Sequence, residues 1–328
     1  MAGMIVPKFW AEGRLRERRE TGQVTVRRWG WSDESQEKAQ AHADLRAKEA
    51  LQRILEGAPI DRREPKVPYN GADGIPIREE ILSLHGDSVV TRNAYGAHCL
   101  NTPDVLFADV DLGDPQTPCS GLLGPAIAAG VTGLWLGGSH RVMVAIAAFL
   151  GTLALVSFGW KLYRRSARAL AGGAEKQARD RIQRFVRSHP GCLLRLYRTP
   201  AGFRVLAQHR LFDPASEEAK ELFEALACDP IYVRMCVKQH CFRARVSPKP
   251  WRIGIEQHLK PRPGVWPVHP ARKAKRAEWV AKYEEASLGY ASCRYLDTLG
   301  DGRETAEVAP VRELHDTLSR ATSSLPIA

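Results

Sequence analysis

The stretch "PDVLFADVDLGD", Pro103 to Asp114, decides how the chain is read. An apolar run, Val105 to Ala108, leads into Asp109-Val110-Asp111. Side chains alternate along a strand, so the two carboxylates share one face. Like charges so placed repel unless a cation sits between them. Hard oxygen ligands select Mg²⁺ or Mn²⁺, which in turn neutralise phosphate oxygens. A strand ending in Asp-x-Asp is therefore a candidate phosphoryl-transfer site. The plainer alternative is a pair of acids facing water.

Outward from this strand the pattern is regular. "AEKQARDRIQRFVRSHPG" puts Ala178, Ile182, Phe185 and Val186 on one helical face. "CLLRLYRT" and "FRVLAQHRLF" read as strands joined at "TPAG", a hairpin. "PASEEAKELFEALACD" is a helix capped near Ser216, and "HCFRARVSPKPWRIG" is a last strand. The order strand, helix, strand, strand, helix, strand predicts an α+β fold: a ferredoxin-like or RRM-like antiparallel-rich sheet with helices on one face. Its strands are expected at 105–111, 193–199, 203–210 and 242–248, with helices at 175–188 and 216–227.

Residues 1–90 read as a separate α/β region. "VTVRRWGW" is a strand, followed by a helix that Ser32 or Asp33 caps and Gly57 ends. The core covers 91–120 and 161–254. Residues 255–328 read as a helical and irregular tail.

From Gly121 to Trp160 the chain changes character. Residues 121–138 and 142–160 form two uncharged runs separated by "SHR", each about 28 Å long as helix, enough to span a bilayer core. They are expected to form a transmembrane hairpin inserted after the Asp-x-Asp strand. "KLYRRSAR" follows at once, as on a cytoplasmic flank. This reading makes the chain a multi-pass membrane protein with both termini in the cytoplasm.

The formal charge of +11 and pI near 9.5 suit a polyanionic partner: nucleic acid, a nucleotide or an anionic membrane face. Between residues 161 and 210, thirteen Lys and Arg stand against two acids, a local excess equal to that of the whole chain. Arg195, Arg198 and Arg204 lie on the hairpin next to the acidic strand. Seven cysteines without a Cys-x-x-Cys pair argue against a disulfide framework. Cys236, His240 and Cys241 lack a second ligand pair at zinc spacing. The opening residues lack the apolar run of a signal peptide. No GxxxxGK[ST] accompanies the acidic strand, which excludes a P-loop ATPase.

The motif order resembles the catalytic core of the archaeo-eukaryotic primase, or primase-polymerase, superfamily. There a strand carries Asp-x-Asp or Asp-x-Glu, a hairpin of small residues carries a His, and a third acid precedes a strand reading like "FRLYxSSK". The counterparts here are Asp109 and Asp111, then "RTPAGFRVLAQH", then Asp229, with Phe242, Arg243, Ser247 and Lys249 in the last element. The hairpin His is replaced by Arg204 or displaced to His209. The resemblance implies Mg²⁺ or Mn²⁺ binding and catalysis by Asp109, Asp111 and Asp229. It implies nucleotide or phosphate contacts by Arg204, His209, Arg243, Ser247 and Lys249. Two alternatives remain open. One is a non-enzymatic, membrane-tethered binding module. The other is a haloacid-dehalogenase-like phosphatase that pairs "FADVDLGD" with "YLDTLGDGRE".

Overall fold

The computed structural model describes residues 6–19, 22–59, 61–62, 75–112, 173–259 and 266–328. The chain divides into two compact units: Met1–Asp111 with Phe185–Ala328, and Leu112–Arg184. The helix α2 (Gly173–Ser188) begins in the second and ends in the first; its Ala178, Ile182 and Phe185 are buried.

In the first unit, β1 (Phe9–Arg19) and β2 (Gly22–Ser32) form an antiparallel ribbon against α1 (Gln36–Leu55). The helix starts where Ser35 Oγ accepts a hydrogen bond from the Lys38 N–H. Ser32, an expected cap, instead receives the N–H groups of Glu34 and Ser35 in the preceding turn. The buried face of α1 is alanine throughout: Ala39, Ala43, Ala47 and Ala50. Small residues are required because Gly13 and Gly30 bring the ribbon backbone against Ala43. A Cβ on either would lie 2.3 or 2.1 Å from the Ala43 backbone.

Two four-stranded sheets follow. One has the order β3 (Glu80–His85), β4 (Ser88–Arg92), β5 (His98–Thr102), β9 (Phe242–Arg245). The other has the order β10 (Arg294–Gly300), β7 (Leu193–Arg198), β8 (Gly202–Ala207), β6 (Phe107–Asp111). Every strand pair among the described residues is antiparallel. The β7–β8 hairpin turns at the expected "TPAG", where the Thr199 N–H donates to the Gly202 carbonyl at 2.9 Å. Ser216 caps α3 (Glu217–Leu226), which lies against β6, and Asp229 caps α4 (Pro230–Gln239).

The expectation of a single sheet is corrected. Segment 242–248 does not pair with the Asp-x-Asp strand; β9 pairs with β5. The fourth place is taken by β10, on the far side of β7. Side chains, not a strand ladder, hold β6 and β9 together. The buried Tyr232 hydroxyl, on α4, contacts the Phe107 carbonyl at 2.8 Å and the Arg243 carbonyl at 3.1 Å.

Residues beyond 255 contribute α5 (Lys273–Ser287), β10 and α6 (Ala309–Ser319). The Ser247 hydroxyl meets Tyr283 on α5 at 2.5 Å, and Arg276 reaches Glu80 at 2.8 Å. Ala97, Ile253, Ile255, Leu259, Trp279, Tyr283 and the final Ala328 form one buried cluster.

The transmembrane hairpin is also corrected. Among the described residues no helix is long and apolar enough to cross a membrane. The longest, α1, is studded with Glu, Lys, Arg and Asp. Residues 121–138 and 142–160 lie outside the described residues. An uncharged run supplies the length for a span but does not by itself make a spanning helix. The multi-pass location, the cytoplasmic assignment of the termini and the membrane tether of the binding module are therefore not retained.

Candidate functional site

Three strands gather the charged residues of the site. β6 carries Asp109 and Asp111, β8 carries Arg204, and the chain leaving β9 passes from Arg245 to Lys249 and a 3-10 turn, Pro250–Arg252.

Arg204 stands opposite Asp109 in the β6–β8 register. Its side chain is 1% exposed. Nε donates to Asp109 Oδ1 at 2.8 Å and Nη2 to Oδ2 at 3.2 Å, a two-pronged clamp. Nη1 donates to the Arg245 carbonyl at 2.7 Å, adding a second tie between the two sheets. Behind Arg204, His315 Nε2 lies 3.3 Å from Nη1, and its Nδ1 lies 3.1 Å from Asp316 Oδ1. These contacts fit the Nδ1–H tautomer, with Nε2 accepting from Arg204. Asp316 also accepts from the Tyr197 hydroxyl at 2.6 Å and from Arg195 at 2.8 Å. This chain of groups fixes Arg204 in place. Burial pushes the Asp109 carboxyl up, but the Arg204 guanidinium, helped by Arg245, holds it below the usual carboxylate range.

Asp111 is exposed at the end of β6. Partial burial, then the charges of Asp109 and Asp229, push its carboxyl up, against the pull of Lys249 and Arg245. Asp229 receives the Ile231 N–H at 2.9 Å as the cap of α4, with Pro230 in the first helical position. The three acids singled out in the sequence are thus close enough for their charges to act on Asp111. Yet two of them already have structural work, one as a cap and one in an arginine clamp. Among the described residues, no three His, Cys, Asp or Glu side chains are placed to hold a metal ion.

The cationic side of the site is built from Lys249, Arg245 and Arg252. Burial, then crowding by Arg245 and Arg252, pulls the Lys249 ammonium down to about 8, against the opposing charges of Asp111 and Asp109. Among the described residues, Nε of Arg245 and Nη1 of Arg252 are buried without a hydrogen-bond partner, while the Arg245 side chain also meets the Tyr95 hydroxyl. Lys249 Nζ sits 5.3 Å from the centre of the Trp251 ring, a cation–π contact.

The other expected phosphate contacts are placed differently. Arg243 is buried and donates to Glu79 Oε2 at 2.6 Å. Ser247 Oγ accepts from the His98 N–H at 2.7 Å and meets Tyr283. His209 contacts the Leu193 carbonyl at 3.3 Å and packs edge-on to Phe212. Burial lowers its pKa, with Arg210 and His189, not the acids, as its charged neighbours. Of the five, Lys249 feels the charges of Asp111 and Asp109 without belonging to the Arg204 clamp. The segment "YLDTLGDGRE" places Asp297 on β10, at the opposite edge of the sheet from β6. Three strand spacings, about 14 Å, separate the two edges.

Sequence reasoning missed Arg245, Arg252 and the aromatic pair Tyr95 and Trp251. Arg245 alternates with Ala244 and Val246 and so read as an outward-facing strand residue. The available signal was the run Arg245, Lys249, Arg252, interrupted by Pro248 and Pro250. Comparison of the chain with protein-family models, curated proteins and solved structures gave no match.

Proposed function

We propose that the chain binds a metal–nucleotide through its phosphates at the Asp111–Lys249 site. The observation that carries this reading is the surplus of cationic donors there. Lys249 is crowded by the like charges of Arg245 and Arg252, and its ammonium lies over the exposed Trp251 ring beside Asp111. Charged donors in such surroundings are costly unless an anion reaches them, and a phosphate supplies several acceptor oxygens at once.

Mg²⁺ or Mn²⁺ fits here as an ion that enters with the nucleotide. Mg²⁺ is commonly held by one or two carboxylates together with substrate phosphates. Asp111 is the carboxylate free for that role, since it is exposed and repelled by Asp109 and Asp229. Asp109 fits poorly, because both its oxygens are engaged by Arg204. A two-metal transfer centre needs carboxylates that reach both ions. With Asp109 clamped and Asp229 capping α4, the geometry favours binding over nucleotidyl or phosphoryl transfer. The primase-like core is read here as a repurposed nucleotide-binding one.

The test is calorimetric titration of ATP with Mg²⁺ into the full chain, Lys249→Ala and Asp111→Asn. Loss of a charge-assisted hydrogen bond to phosphate is worth about 1.5–3 kcal/mol, so Lys249→Ala is expected to weaken binding about tenfold or more. Asp111→Asn is expected to remove the dependence on Mg²⁺. No binding by the unaltered chain, or equal binding by all three proteins, overturns the reading.

A further inference from the structure

Beside Lys249 lies a recess of about 420 Å³, lined by Tyr95, Pro250, Trp251, Ile255, Glu256, Gln257 and His258. The volume falls within the range of small-ligand sites, about 300–1,000 Å³. We propose that this recess holds the base of the bound nucleotide, so that the ligand is a nucleoside triphosphate and not a phosphate compound lacking an aromatic ring. The inference rests on the phosphate reading of Lys249 and names the substrate class of that same site.

The walls are rigid. The turn Pro250–Arg252 is closed by the Arg252 N–H on the Lys249 carbonyl at 2.9 Å and the Ile255 N–H on the Pro250 carbonyl at 3.0 Å. Pro250 fixes its own φ at the start of that turn. Ile253 and Ile255 anchor the segment in the buried cluster with Trp279 and Tyr283. On the opposite wall, Asn93 Oδ1 accepts the N–H groups of Tyr95, Gly96 and Ala97 at 3.0 to 3.2 Å, which pins the loop carrying Tyr95.

Against this fixed frame one large apolar surface is left to solvent. Trp251 is 52% exposed although Tyr95 packs edge-on to it at 5.3 Å. A core role would have buried it. Its exposed ring offers a stacking surface, and every nucleobase has a π-face to match. Ile255 adds apolar lining, while Glu256, Gln257 and His258 bring polar groups to it. Lys249 belongs to both halves of the site: its ammonium lies over the Trp251 ring, and its charge acts with those of Asp111 and Asp109. A ligand with a planar ring at one end and phosphates at the other matches that order. Lys249, outside the lining but over the Trp251 ring, puts a positive charge beside the recess, and the volume argues against a folded partner.

The experiment titrates ATP and inorganic tripolyphosphate, each with Mg²⁺, into the full chain, Trp251→Ala and Trp251→Phe. Base–aromatic stacking is worth about 1–3 kcal/mol by alanine substitution, which is roughly a 5- to 150-fold change in affinity. Trp251→Ala is expected to weaken ATP by that factor and to leave tripolyphosphate within about twofold; Trp251→Phe should restore most of the ATP affinity. Because Trp251 is largely exposed, its removal should leave the far-ultraviolet circular dichroism unchanged. Equal affinity of the unaltered chain for ATP and tripolyphosphate, or an unchanged ATP affinity in Trp251→Ala, overturns the recess and leaves the phosphate reading standing. Binding of ATP without any binding of tripolyphosphate overturns the phosphate reading and supports the recess. Binding of neither overturns both.

Discussion

Tyr232→Phe tests the seam that positions the site. The Tyr232 hydroxyl is the bridge between β6 and β9, 2.8 Å from the Phe107 carbonyl and 3.1 Å from the Arg243 carbonyl. Phe107 is 0% exposed and Tyr232 4%, so water cannot replace the lost donor. One hydroxyl proton serves mainly the shorter contact. Its removal therefore leaves one buried carbonyl short of a partner, at a cost of about 1–3 kcal/mol. The ring is retained, so no cavity of methylene size adds to this. The assay is urea unfolding followed by circular dichroism. With a slope of about 3 kcal/mol/M, the midpoint should fall by roughly 0.3–1 M at unchanged slope. A change below about 0.5 kcal/mol would refute the reasoning, because the seam would then rest on the Arg204–Arg245 tie and not on this hydroxyl.

Four further outcomes follow from the structure. Nucleotide affinity should fall as pH rises from 7 to 9, because the Lys249 ammonium is charged below about 8 and neutral above it; Lys249→Arg should flatten that profile in calorimetric titrations. Arg204→Gln should cost about 3 kcal/mol in urea unfolding, the low end for breaking a buried pair, since Asp109 keeps 38% of its surface exposed and can turn to water. The same clamp makes stability acid-sensitive: with its folded pKa depressed, Asp109 contributes above its unfolded value of about 3.9, and the contribution is lost as pH falls through the folded value. Asp109→Asn should therefore show a shallower loss of stability below pH 4. Gly30→Ala should lower the unfolding midpoint by the equivalent of about 1–3 kcal/mol, because the new Cβ would lie 2.1 Å from the Ala43 amide nitrogen and must push the ribbon off α1.

Local signals in the sequence led to local structure. The apolar run into Asp109, the "TPAG" turn and the Ser216 cap each depend on residues within a few positions of one another, and each takes the expected form. Sheet membership depends on partners far away in sequence, and there the reading failed. Residues 242–245 have strand character whichever sheet they join, and only their pairing with residues 99–102 decides the matter. The same limit applies to the site. Asp109 and Asp111 share a strand face by alternation, but the Arg204 clamp on Asp109 spans 95 positions and has no local signature. Arg243 and Arg245 look equivalent as alternate strand residues. One is neutralised by Glu79, far off in the chain, and the other reaches the acids. The membrane reading rested on two uncharged runs and the basic flank after them, features with no contact or register to support them.

The most direct measurement of the central claim is the anomalous scattering of crystals soaked with Mn²⁺ and a non-hydrolysable ATP analogue. One Mn²⁺ peak is expected beside the Asp111 carboxylate, with phosphate density reaching Lys249, Arg245 and Arg252, and the adenine ring against Trp251. Phosphate density elsewhere on the chain, or a Mn²⁺ peak away from Asp111, would contradict it.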